Sequence, residues 1–134
     1  MHQRFARAPR AEIVCPDGVL EAAVAESFSL RLRGLTGLEP DEVEPLLFPR
    51  CRSVHTVGMR TAIDLVWLDQ THEPPKVLKV VEGLPPRRQA RAPRDGHSRG
   101  AISALELRAG QAGRLGLVVT ENARDPRRES SQGP

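Results

Sequence analysis

Three ionisable side chains stand inside the most apolar parts of this 134-residue chain. His55 and Asp64 lie in SVHTVGMRTAIDLVWLD, residues 53–69, and Glu106 lies in ISALELRAG, residues 102–110. A carboxylate shut away from water costs several kcal/mol unless donors or a cation meet it. Burial also raises a carboxyl pKa towards the neutral range in which proton transfer works best. Asp64 and Glu106, if brought together, would be acid and base, with His55 orienting a substrate and Arg52 or Arg60 holding an anionic group. The structural alternative makes Asp64 a turn clamp satisfied by backbone amides and Glu106 a cap on the Ala109-Gly110 turn. Of the two, the clamp is the simpler reading of Asp64.

Cys51 precedes His55 by four residues. On a strand both would share a face but stand roughly 13 Å apart, too far for a thiol-imidazole nucleophile pair. Zinc needs three or four ligands, and His72, His97 and Cys15 fall at no recognisable spacing. Nucleotide-binding glycine loops and nucleophile motifs are missing as well. No metal and no cofactor are therefore expected. Two cysteines, Cys15 and Cys51, make no disulfide framework, and a reduced cytoplasmic setting with free thiols fits them.

The elements that must position these groups read as short strands. Runs rich in Val, Ile and Leu recur between turn signals such as Pro16-Asp17-Gly18, Pro49-Arg50, Pro74-Pro75 and Asp95-Gly96. Strands are expected near 11–15, 19–25, 46–48, 52–58, 62–69, 76–82, 101–107 and 115–120. Across 62–69, Ile63, Leu65 and Trp67 share one face and Asp64, Val66 and Leu68 the other, so this strand should be covered on both sides. Ser27 can cap a helix that Gly34 ends, yet SLRLR alternates with period two, and the residues leave that choice open. The expected fold is mainly β with one or two short helices, a compact antiparallel sandwich or small barrel-like domain. Its organisation is a flexible basic arm at 1–10, one β-rich domain at 11–120 and a disordered tail at 121–134.

Net charge of +3 raises nucleic acid as a partner, so the location of the charge matters. Arg4, Arg7 and Arg10 put the excess in the first ten residues, leaving 11–120 neutral. Eighteen of the twenty cations are arginine, which suits the coding bias of a GC-rich, bacterial genome. Residues 84–100, with Arg87, Arg88, Arg91 and Arg94, read as an exposed loop without the aromatic platform of single-strand binders. Nucleic acid is thus disfavoured. No window reaches the roughly 18 apolar residues of a membrane-spanning helix, and the opening residues lack the apolar core of a secretory signal.

In their order, RLRGL, LLF, HTVGM, IDLVWLD and ALELRAG resemble the family called domain of unknown function 192. The resemblance covers about residues 19–117. It rests on Arg31, Gly34 and Leu35, then on His55, Thr56, Gly58, Met59, Ile63, Asp64, Leu68 and Asp69, and last on Leu105, Glu106, Ala109 and Gly110. It implies a mostly antiparallel β-fold and a helix at RLRGL, and it implies no activity. Two departures are visible: Thr36 replaces the methionine usual after Gly-Leu, and a late Gly-Asp pair is missing.

The leading functional expectation is a non-enzymatic binding or accessory module. It would hold a small ligand or peptide near His55, Asp64 and Glu106, with Arg52, Met59, Arg60 and Trp67 as ligand contacts. The alternatives are a small cofactor-free isomerase, cyclase or hydrolase using Asp64, Glu106 and His55, and nucleic-acid binding through the arginines of 87–99. Monomer and dimer are both open.

Overall fold

A computed structural model describes residues 2–94 and 101–120. Strands β1 (Arg10–Cys15) and β2 (Gly18–Val24) form a hairpin whose alternation buries Ile13, Cys15, Leu20 and Ala22 and leaves Glu12 and Glu21 in solvent. Helix α1 (Phe28–Arg33) follows. Ser27 Oγ accepts the Leu30 amide at 3.1 Å, and Gly34, at φ 49°, closes the helix by donating to Leu30 O at 2.7 Å. A serine cap contributes about 1 kcal/mol. Cap and terminator together outweigh the two-residue alternation of SLRLR.

A 3-10 turn at Pro40–Glu42 leads into β3 (Leu46–Phe48), which pairs with β2 in parallel. Then come β4 (Ser53–His55), β5 (Ile63–Asp69), β6 (Lys76–Leu84), β7 (Gln89–Arg91), β8 (Ile102–Arg108) and the short helix α2 (Gln111–Arg114). Six strands in the order β1-β2-β3-β8-β5-β6 make a curled half-barrel, and β4 with β7 forms a small separate sheet. Every other pairing is antiparallel. The mainly β fold with two short helices is the one expected.

Strand β5 is buried along its whole length. Ile63, Leu65 and Trp67 pack with Phe5, Leu30, Leu35 and Met59 on one face, whereas Val66 and Leu68 pack with Ile13, Leu20, Leu105 and Leu107 on the other. Each such side chain contributes roughly 1.5–3 kcal/mol on leaving water.

Four expectations are corrected. Residues 2–9 are no free arm: a 3-10 turn at Gln3–Phe5 buries Phe5 completely, and Arg4 Nη1 donates to Gly34 O and Thr36 O at 2.9 and 2.8 Å. Residues 115–120 form no strand. Gly110, at φ 90°, starts α2, and beyond it Thr120 is tied to Val77 by two hydrogen bonds. The strand expected over 52–58 stops at His55 because the backbone turns at Thr56–Met59, with Gly58 at φ 83°. Part of the expected loop 84–100 is strand: β7 pairs with β4. Residues 95–100 and the tail 121–134 lie outside the described residues. Among the described residues no helix is long and apolar enough to cross a membrane.

Candidate functional site

Asp64 is wholly buried, on the face of β5 shared with Val66 and Leu68. Its Oδ1 accepts the Gly83 amide at 2.9 Å, and its Oδ2 accepts those of Gly110 and Ala112 at 2.9 and 3.1 Å. Three backbone donors satisfy the carboxylate and leave it no free reach. Asp64 thereby joins β6 and the start of α2 to the central strand, and it lines no part of the cleft described below. It is the clamp.

Glu106 stands on the other face. It pairs across the sheet with Leu65 and Leu46, whereas Asp64 pairs with Leu107. Directly paired residues point the same way and successive residues point oppositely, so the two carboxylates are separated by the sheet itself. The expected acid-base pair of Asp64 and Glu106 therefore does not exist. Nor does Glu106 cap the Ala109-Gly110 turn; that role falls to Asp64.

Glu106 opens instead onto a cleft of about 190 Å³. The end of α1 lines one part, from Arg31 through Gly34 and Leu35 to Thr36, and the segment Cys51 to Met59 lines another. Two glycine-dependent contacts hold these segments together. Gly37 N donates to Gly58 O at 3.1 Å, and a Cβ on Gly58 would meet Thr36 Cγ2 at 2.8 Å. Thr56 anchors the next turn: its hydroxyl donates to Pro85 O at 2.7 Å and accepts the Arg88 amide at 2.8 Å.

The electrostatics of the cleft centre on Glu106. Its side chain is buried, and no described group donates a hydrogen bond to it. Burial pushes its pKa up to about 8, which favours the protonated carboxyl near neutral pH. Beside it the half-buried Cys51 donates to Ser53 O at 3.3 Å. Burial raises the Cys51 pKa, the Ser53 carbonyl and the Arg31 charge lower it, and Glu106 raises it again. His55 is exposed at the rim. Arg31 reaches over from α1 and donates to Pro49 O at 2.9 Å.

Of the residues expected at a site, His55, Met59 and Glu106 share this cleft. Arg60 is drawn away to Glu39, at 2.6 Å, and Arg52 is exposed outside the lining. Trp67 is fully buried in the core with its indole N–H unpartnered among the described residues, and it does not reach the cleft either. The site reading left out Arg31, Gly34 and Thr36 and weighed Cys51 only as a metal or nucleophile candidate. The signal for Arg31 and Gly34 was the RLRGL motif, whose glycine turn has to meet that of HTVGM. Among the described residues no group of three or more His, Cys, Asp and Glu side chains is placed to hold a metal ion.

The fold and cleft define a small half-barrel protein with a helix-walled hollow on one sheet face. The family model described as DUF192, an uncharacterised family, matches residues 12–124, and the chain belongs to that family. Two solved structures are similar. A protein of unknown function from Novosphingobium aromaticivorans is 16% identical with a TM-score of 0.59, over 89% of this chain and 94% of that one. A proposed transcription regulator from Sinorhizobium meliloti is 23% identical with a TM-score of 0.55, over 82% and 87%. These likenesses establish the fold alone. No curated protein matches the sequence.

Proposed function

We propose that this protein is a non-enzymatic binding module that holds a small hydrogen-bond-accepting molecule, such as a carboxylate or amide, in the Glu106 cleft. One observation carries the reading: Glu106 is buried and without a hydrogen-bond partner among the described residues, yet it faces an open hollow, and that burial pushes its pKa up to about 8. An unmet donor sheltered from water gains most from an acceptor brought by a ligand. Arg31 and His55 at the rim favour an acceptor that is polar or negatively charged. The setting is cytoplasmic, with Cys15 and Cys51 both free thiols. Nucleic-acid binding through Arg87, Arg88, Arg91 and Arg94 is the weaker alternative, because these exposed arginines have no aromatic beside them in residues 84–94.

Titration of the isotope-labelled protein with acetate, acetamide and N-acetylglycine tests the proposal. At least one probe should move the His55, Met59 and Thr36 amide signals saturably. Glu106→Gln, which keeps a donor, should retain binding, and Glu106→Leu should abolish it. Unchanged affinity in Glu106→Leu would overturn the assignment.

A further inference from the structure

A second cavity, of about 430 Å³, opens between the N-terminal segment and α1. Its lining brings Arg4, Arg7 and Arg33 together with Ser27 and Ser29 over a bed that includes Leu30, and no carboxylate is among the lining residues. From these groups we infer that the cavity is an oxyanion site for a phosphate monoester whose organic part is apolar.

Several independent features converge there. Ser29 and Arg33 are four residues apart on α1 and so share a face. The Ser27 hydroxyl already accepts the Leu30 amide, which leaves its own proton to donate. Arg4 is fixed by two carbonyls through Nη1, and its Nε is buried with no partner among the described residues. Neither the Arg7 nor the Arg33 side chain makes a hydrogen bond or ion pair with the described residues. Burial and the Arg33 charge both lower the Arg4 pKa, while Glu42 raises it. The Glu42 carboxylate is itself 3.3 Å from His2 Nε2. The Arg33 charge already opposes that of Arg4, Arg7 lines the same hollow, and a phosphoryl group would convert that repulsion into charge-assisted hydrogen bonds. The apolar bed gives the ester's organic half a place that a free ion would leave empty.

Calorimetric titration of the full chain with phenyl phosphate and with inorganic phosphate, at fixed ionic strength, tests the inference. Phenyl phosphate should bind saturably at one site and more tightly than phosphate. Arg7→Gln and Arg33→Gln, both at exposed positions, should each weaken it by about tenfold or more. Arg33 also borders the Glu106 cleft, so Arg7→Gln is the variant that separates the two sites. Glu106→Leu should leave phenyl phosphate binding intact. Non-saturable heats, equal affinity for the two probes, or wild-type affinity in Arg7→Gln would each overturn the assignment.

Discussion

Asp64 and Glu106 lie on adjacent strands of one sheet, one register step apart, and face opposite sides of it. One is met by three backbone amides and the other by none among the described residues. The same residue class therefore serves two ends: a clamp that organises β6 and α2, and a sheltered carboxyl at the base of a cleft.

The clamp makes Asp64 a stability residue. Asp64→Asn places an amide N–H₂ where a carboxylate oxygen meets donors, so at least one buried backbone N–H loses its partner. Loss of about 2–4 kcal/mol is expected, read as a lower urea midpoint, with cleft signals little changed once folded. An unchanged midpoint would contradict the clamp.

Glu106 gives stability a pH dependence of definite sign. Its pKa rises from 4.5 in the unfolded chain to about 8 in the fold, so the folded protein binds the extra proton between these values. The Glu106 contribution is fully present below pH 4.5 and is lost as pH rises to about 8, by an amount on the order of a few kcal/mol. Urea midpoints measured across that window should fall with pH. Glu106→Gln, which cannot ionise, should flatten the fall.

Gly58 meets both a backbone and a steric demand. At φ 83° an alanine is strained, and its Cβ would stand 2.8 Å from Thr36 Cγ2. Gly58→Ala should cost about 1–3 kcal/mol and disturb the cleft. Adding Thr36→Ser should restore part of that loss in thermal melts, because the methyl is gone and only the backbone strain persists.

The Thr56 hydroxyl secures the turn that follows β6. Thr56→Val removes the donor to Pro85 O and the acceptor for the Arg88 amide. A loss of about 1–2 kcal/mol is expected, together with faster hydrogen exchange at Arg88.

Much of the architecture was legible because strand periodicity is local. The two faces of β5 could be read directly from Ile63 to Leu68, and so could the hairpin of β1 and β2. The orientation of Glu106 relative to Asp64 could not. It depends on the register between strands some forty residues apart, and a slip of one residue reverses every face. Phe5 was hidden by its company: three arginines within ten residues read as a solvated arm, yet one aromatic ring was enough to pin the segment to the core. The cleft was legible only as two glycine-bearing motifs, RLRGL and HTVGM, with nothing local to say that they dock. Residues 115–120 misled through their two valines, both of which the fold leaves in solvent.

The most direct measurement is the titration of the Glu106 side-chain carbonyl carbon by NMR in the intact protein. A midpoint near 8 would establish the sheltered, proton-bearing donor on which the binding cleft rests. A midpoint near 4.5, that of an ordinary solvated glutamate, would contradict it.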